Sequence, residues 1–146
     1  MFRSHRPILH VALFAFLVVS CLLASPSRAV TLAEQGQPNA TIVHNGHKTQ
    51  AEALQKYIQK ITGAKLPMAK TGAEGAVVEL KMVDEVPGSS DAAKANQAYL
   101  LQADDNNLTL TASTELGLDY AVYGLLQDHL GVAFFTPDFE RVPSSP

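Results

Sequence analysis

Two pairs of carboxylates have the residue types that sugar hydrolysis requires. That reaction uses one carboxylic acid and one nucleophile or base, placed on either side of the bond to be broken. Asp104 and Asp105 are adjacent, but a tight turn between two strands accounts for them better. Asp138 and Glu140 are two residues apart after an apolar strand, which puts them on one face, yet no neighbouring motif positions a substrate. We therefore predict no catalytic residue in this chain.

His44 and His47 come nearest to a metal-binding motif. Two imidazoles within one turn can hold a metal only with a third ligand, and none is marked nearby in the sequence. The sequence also has no phosphate-binding loop, dinucleotide fingerprint, nucleophile elbow or His-Glu-x-x-His motif. We predict a solvated turn at the two histidines, with no metal and no cofactor.

The first 29 residues have the pattern of a secretory signal peptide. Arg3 and Arg6 precede an apolar run over residues 8–23, which is short for a membrane span. Ser27 and Ala29 then supply small residues at the −3 and −1 positions of a cleavage site. We expect cleavage after Ala29 and export to the periplasm, the cell envelope or the exterior.

Two alternatives for the N-terminus stay open. One is an uncleaved N-terminal anchor. The other is a lipoprotein that carries its lipid on Cys21, since Val18-Val19-Ser20 loosely fits the residues that precede an acylated cysteine. The apolar run continues past Cys21 through Leu22-Leu23-Ala24, which favours simple secretion.

Charge and cysteine content limit the partners and the source of stability. Cleavage after Ala29 removes three arginines and no acidic residue, so the formal net charge changes from −3 to −6. A negative chain attracts neither nucleic acid nor an anionic membrane, and we expect neither as a partner. The mature chain has no cysteine for a disulfide, so one packed core must stabilise it.

The rest of the chain has alternating strand and helix signals. We expect a flexible lead-in over 30–40, one domain over 41–143 and a short tail over 144–146. The predicted elements are a strand at 41–43, a helix at 49–61, an edge strand near Pro67, a strand at 76–83, a hairpin of 99–103 with 108–112, a helix at 114–130 and a strand at 132–135. The order β-α-(β)-β-β-β-α-β predicts a single α/β (α+β) domain with a mixed β-sheet and two main helices packed on it.

Both helices have predicted local features. Thr49 and Glu52 have capping-box spacing at the start of the first helix, and Gly63 is expected to end it in a left-handed conformation. In the second helix Gly117 and Gly124 lie on a stripe of small residues. A helical glycine costs about 1 kcal/mol relative to alanine, so the stripe predicts that another backbone approaches closely.

Three segments together resemble one known family. They are "AEALQKYIQKITGAKLP" (51–67), "LTLTA" (108–112) and "GLDYAVYGLLQDHLGVAFFTPDFERVP" (117–143). They are similar to the domain that precedes the catalytic barrel in alpha-glucuronidases of glycoside hydrolase family 67, and to the related second domain of beta-N-acetylhexosaminidases. The matching residues are Thr62, Gly63, Leu66, Pro67, Gly117, Tyr120, Ala121, Val122, Tyr123, Leu130, Gly131, Pro137 and Pro143.

The chain departs from that family in two ways. Ala133 and Phe134 stand where the family often has Arg-Trp. The catalytic carboxylates of such enzymes lie in a (β/α)8 barrel that follows this domain and needs about 250 residues. The chain ends three residues after Pro143, so no family catalytic residue can be assigned to it.

The resemblance implies a non-catalytic accessory domain of a secreted glycoside hydrolase. It would take part in carbohydrate degradation by docking on a catalytic barrel, in cis or in trans, and would shape the rim of a sugar site. The expected docking interface is Phe134, Phe135 and Pro137, because the two phenylalanines point to opposite faces and only one face can be covered by the helices. Two alternatives remain: a stand-alone exported carbohydrate-binding or envelope protein that reuses the fold, and a hydrolase in its own right.

Overall fold

A computed structural model describes residues 30–89, 95–136 and 138–144. The predicted signal peptide, with Cys21, and Pro137 of the predicted interface lie outside the described residues. The elements in chain order are β1 (Ala33–Glu34), β2 (Gln37–Pro38), β3 (Ala40–Val43), α1 (Lys48–Thr62), β4 (Met68–Ala69), β5 (Ala76–Met82), a 3₁₀ turn (Ala95–Gln97), β6 (Tyr99–Asp104), β7 (Asn107–Ala112), α2 (Glu115–Gly124), a π-helical turn (Leu125–His129), β8 (Ala133–Thr136) and β9 (Phe139–Arg141). Within the described part, no helix combines the length and apolarity needed to cross a bilayer.

The centre of the fold is a mixed five-stranded sheet in the order β4-β3-β5-β7-β6. Strands β4, β3, β5 and β7 are parallel, and β6 joins β7 as the antiparallel arm of the predicted hairpin. The short strand after Pro67 lies at the edge of the sheet, as its proline predicts. The predicted mixed sheet with two helices is confirmed.

Both helices cover the same face of this sheet, because the apolar residues of each element fall on one side. Alternate residues of the central strands and one stripe of each helix form a continuous core, as the periodicity of the sequence requires. The largest fully buried side chains are Ile42, Leu54, Ile58, Leu66, Val78, Leu80, Leu110, Leu118, Val122 and Leu126. Their removal from water is the main force that holds the helices on the sheet.

The predicted capping box at the start of α1 is wrong. The helix begins at Lys48, so Thr49 lies inside the first turn and His47 occupies the capping position without a side-chain hydrogen bond. Glu52 instead pairs with Lys48 one turn earlier, with Nζ and Oε1 3.3 Å apart. The other end of the helix agrees with the prediction, since Gly63 adopts a left-handed φ of 77°.

The small residues of α2 lie where the sheet approaches most closely, as predicted. A Cβ on Gly117 would lie 2.8 Å from the carbonyl oxygen of Ala98 and 3.2 Å from the Cβ of Ala112 on β7. A Cβ on Gly124 would lie 2.4 Å from the hydroxyl of Tyr99 on β6. The two glycines therefore allow α2 to pack against β6, β7 and the turn before them.

The two ends of the domain differ from the simple predicted order. The expected last strand, β8, leaves the main sheet and pairs antiparallel with β9, with Ala133 opposite Arg141 and an irregularity between Phe134 and Thr136. At the other end the expected lead-in contains the small hairpin β1–β2. The hairpin β8–β9 packs beside α1 and α2 and supplies half of the aromatic residues on the surface described next.

Candidate binding surface

Six of the seven aromatic residues in the described part of the chain gather on one surface. The seventh, Tyr99 on β6, packs against Gly124 of α2. The six belong to four separate elements, and we call them the aromatic surface. They are Tyr57 of α1, Tyr120 and Tyr123 of α2, Phe134 and Phe135 of β8, and Phe139 of β9.

Phe134 points inward and attaches the hairpin β8–β9 to both helices. Its ring meets Tyr57 edge to face, with centroids 5.3 Å apart and planes at 87°. It meets Tyr123 in the same way at 5.2 Å and 79°. Edge-to-face pairs of this kind add stability beyond the area they bury. Phe134 is half-buried and packs against the hydrophobic core.

Phe135 points the other way, as the alternation of a strand requires. It lies beside Phe139, with ring centroids 5.3 Å apart and planes tilted by 32°. The two side chains are 59% and 62% exposed, the highest values among the large hydrophobic residues of the described part. The interface predicted at Phe134, Phe135 and Pro137 stays a prediction, and Phe139 is the neighbour that sequence reasoning missed.

A polar network lies beneath the aromatic rings. The Tyr57 hydroxyl donates a hydrogen bond to Oε2 of Glu140 over 2.5 Å, and Lys60 donates to the other carboxylate oxygen and forms an ion pair with it. Burial and the bond to Glu140 raise the pKa of Tyr57 to about 12. The hydrogen bonds from Lys60 and Tyr57 lower the pKa of the Glu140 carboxyl. Glu140 is therefore an anion at neutral pH.

A cleft of about 470 Å³ opens between the helices and β8. Its walls are aromatic. The rest of its lining is polar, and Glu140 is the one residue of the lining with a formal charge. The lining residues are Tyr57, Tyr120, Tyr123, Gln127, Phe134, Phe135, Thr136 and Glu140. Apolar walls with a few polar groups are a combination typical of ligand sites, and this cleft is broadly open to solvent.

Positive charge lies along the α1 side of this cleft. Lys56 and Lys60 place their ammonium groups 5.6 Å and 5.0 Å from the centroid of the Tyr57 ring, within range of a cation–π interaction. Lys60 also neutralises Glu140. The local charge balance is therefore positive, although the chain as a whole is acidic.

A second concavity, of about 500 Å³, lies on the face of the sheet opposite the helices. Its lining is polar and contains no aromatic side chain among the described residues: Val43, Gly72, Ala73, Gly75, Val77, Glu79, Gln102, Asp104, Asn107 and Thr109. Asp104 contributes to this wall. Asp105 occupies the turn between β6 and β7 with a left-handed φ of 34°, as the turn interpretation requires.

The remaining chemical candidates are engaged in local contacts. Nδ1 of His47 lies 2.8 Å from Oε1 of Glu115, and Nδ1 of His44 accepts the N–H of Gly46 over 3.1 Å. In residues 30–89, 95–136 and 138–144, no three His, Cys, Asp or Glu side chains come together as a metal site. Asp138 is exposed at the hairpin turn, while Glu140 is bound by Tyr57 and Lys60.

The aromatic surface could be predicted only in part from the sequence. Leu116 and Tyr120 on α2 are 48% and 42% exposed. Tyr120 and Tyr123 are three residues apart, a spacing that places both on one side of a helix. That spacing indicated that the two tyrosines share one side of α2. It did not indicate that Tyr57 and the hairpin β8–β9 would pack on that side.

Comparison with solved structures gives several structural likenesses, whereas the sequence comparisons give none. No protein-family model and no curated protein matches the chain. A GH138 enzyme targeting pectin rhamnogalacturonan II aligns with a TM-score of 0.47 and 13% identity, over 62% of this chain. The chain spans 13% of that enzyme's length. A likeness of this strength describes part of a backbone arrangement and says nothing about what this chain binds or cleaves, and the resemblance to family 67 stays a prediction.

Proposed function

We propose that this chain is a non-catalytic accessory domain of an exported glycoside hydrolase. In this proposal it docks on a (β/α)8 catalytic barrel, in cis or in trans, through Phe135 and Phe139. The observation that carries the proposal is the exposure of these two neighbouring rings on a hairpin that Phe134 and Glu140 hold against the helices. A fixed, exposed apolar pair at the end of a domain is typical of a surface that another domain covers.

The state of Glu140 supports the non-catalytic part of the proposal. A glycosidase acid needs a raised pKa so that it holds a proton at working pH. Lys60 and Tyr57 lower the pKa of Glu140 instead, and both carboxylate oxygens already accept hydrogen bonds. Glu140 is therefore a structural anion in this proposal and does not serve as the proton-donating acid.

A stand-alone carbohydrate-binding protein is the second candidate function. From the sequence, the absence of tryptophan and the presence of only four tyrosines argued against it. Three of those four tyrosines line one cleft, and this arrangement supports carbohydrate binding although the composition is poor in aromatic residues. In either case the protein acts outside the cytoplasm, as the pattern of residues 1–29 predicts.

The predicted export can be tested by N-terminal sequencing of the protein recovered from culture. Simple secretion predicts a mature chain that starts at Val30. Lipid on Cys21, lost in Cys21→Ser, would establish the lipoprotein alternative. A retained Met1 would mean that the segment is not cleaved.

Docking can be tested by titrating the mature chain with a catalytic barrel in a calorimeter. The barrel to use is the one encoded downstream in the same reading frame or in the neighbouring gene, expressed without any accessory domain. We expect Phe139→Ala to weaken binding about tenfold or more, since exposed aromatic residues dominate such interfaces. Leu116→Ala, at an apolar residue of α2 that is 48% exposed, is the control and should bind as wild type. The absence of a barrel gene, or equal binding by all variants, would contradict the proposal.

A further inference from the structure

We infer that the cleft lined by the aromatic surface is a saccharide site that takes one pyranose ring of an oligosaccharide chain. This inference rests on the proposed carbohydrate-related function but concerns a different part of the surface. Docking is assigned to the outward pair Phe135 and Phe139, whereas the sugar site lies behind β8. Phe135 borders both, so the cleft would lie at the rim of the docked interface.

The aromatic walls suit the apolar side of a sugar ring. Tyr120 and Tyr123 are 42% and 40% exposed, so their rings can be reached from solvent. Both line the cleft, together with Phe134 and Phe135. A pyranose presents C–H groups on one side, and such a side packs against an aromatic face. An aliphatic side chain from a protein would fill the same walls but would leave the polar lining without partners.

The polar lining supplies hydrogen-bonding groups for hydroxyls. A carboxylate offers about four lone-pair positions, and Tyr57 and Lys60 use two of those on Glu140. The Glu140 side chain remains 29% exposed, so the other positions can be reached from the cleft. Gln127 and Thr136, both exposed, add an amide and a hydroxyl on the same wall.

The charges around the cleft discriminate between ligand classes. Aromatic clefts with a carboxylate also bind quaternary ammonium groups. Here Lys60 neutralises Glu140. Lys56, on the same helix, places a second positive charge near the Tyr57 ring. A cationic ligand would meet this excess positive charge. A neutral sugar would not, and a sugar that carries a carboxylate would be attracted.

The test is NMR titration of the mature, isotope-labelled chain with three probes. Xylohexaose supplies a neutral pyranose chain, a galacturonic acid hexamer supplies an acidic one, and choline supplies the quaternary ammonium. We expect saturation transfer from the protein to at least one oligosaccharide, with amide shifts at Tyr120, Tyr123 and Gln127. A preference for the acidic chain would assign a role to the lysines, and equal binding would mean that the pyranose ring alone is recognised.

The variants separate the sugar site from the docking pair. Tyr120→Ala removes an exposed wall and should weaken oligosaccharide binding about tenfold, the scale of one aromatic contact. Leu116→Ala and Phe139→Ala should bind sugar as wild type does, and dispersed amide spectra of every variant would establish that each is folded. If barrel docking fails while sugar binding follows this pattern, the proposed docking is wrong and the saccharide site stands.

Three results would overturn the inference. One is the absence of shifts with both oligosaccharides at millimolar concentration. A second is shifts confined to the opposite concavity, at Glu79 and Thr109. The third is choline binding that exceeds the binding of either sugar chain.

Discussion

Tyr57 on α1 and Glu140 on β9 are 83 residues apart in sequence, yet the phenol donates to the carboxylate over 2.5 Å. Lys60, one turn along the same helix, binds the other carboxylate oxygen. With the edge-to-face contact of Phe134 on Tyr57, this network fastens the hairpin β8–β9 to the helical layer. The orientation of Phe135 and Phe139, and with it the aromatic surface, depends on that attachment.

The hydrogen bonds to Glu140 should make the stability of the fold depend on pH in the acidic range. The folded-state pKa of Glu140 is lowered, so its contribution is fully present above the unfolded pKa and is lost as the pH falls through the folded pKa. Glu140→Gln should therefore reduce the melting temperature at neutral pH and lose this difference from wild type in acid. Glu74→Gln, at an exposed loop position, is the control. A difference from wild type that does not change with pH would contradict the network.

Tyr57 should titrate at unusually high pH. Its folded-state pKa is about 12 against an ordinary value of 10.0, so the folded chain keeps the phenol proton where the unfolded chain loses it. Its contribution to stability is fully present below pH 10 and disappears as the pH rises from 10 to 12. Absorbance of tyrosinate should show a late step that Tyr57→Phe removes. Loss of an early step instead would place Tyr57 in contact with water.

The two phenylalanines of β8 should differ in their effect on stability. Phe134→Ala removes two edge-to-face contacts and a half-buried ring, and we expect a loss of about 2 kcal/mol, below the range for fully buried rings. Phe135→Ala, at an exposed ring, should stay within about 0.5 kcal/mol of wild type. Urea denaturation measures both. Equal losses would mean that the hairpin is oriented differently.

Gly117 should not tolerate a methyl group. Alanine is favoured over glycine inside a helix by about 1 kcal/mol, but overpacking costs about 1–3 kcal/mol. The Cβ would lie 2.8 Å from the backbone oxygen of Ala98, which cannot move as a side chain can, so the clash should win. We expect Gly117→Ala to lower the free energy of unfolding in urea by about 1 kcal/mol.

A matched comparison is available on the same helix. At Gly124 the obstacle is the ring of Tyr99, and its removal in Tyr99→Ala should make Gly124→Ala less costly than it is in the wild-type background. Stabilisation by Gly117→Ala would contradict the close approach of α2 to the sheet.

Local periodicity carried most of the fold prediction. The apolar stripe that contains Leu54 and Ile58 predicted α1, and the alternation of Leu108 and Leu110 predicted the buried face of β7. These predictions were correct because the spacing of apolar residues along the chain determines which side of a helix or strand is buried. The capping box failed because Thr49 lies within the first turn, one residue past the helix start. Cap positions depend on a single residue, and helix ends are correspondingly hard to place.

The candidate site was harder to predict because it is assembled from distant segments. Tyr57, Tyr123 and Phe134 meet only after α1, α2 and β8 have packed. The departure of β8 from the main sheet to pair with β9 was also not evident, since Asp138 and Glu140 were predicted only to follow the last strand. Strand partners depend on tertiary packing, which a single strand pattern does not specify.

The central claim is that this chain contributes binding and structure while bond cleavage takes place on another domain. The most direct test is to incubate the purified mature chain with a panel of aryl-glycosides, including glucuronides and N-acetylglucosaminides, and to measure release of the aryl group. The account predicts no release above the rate in buffer. Steady release that is lost in Asp138→Ala or Glu140→Ala would contradict it and would make the chain a hydrolase in its own right.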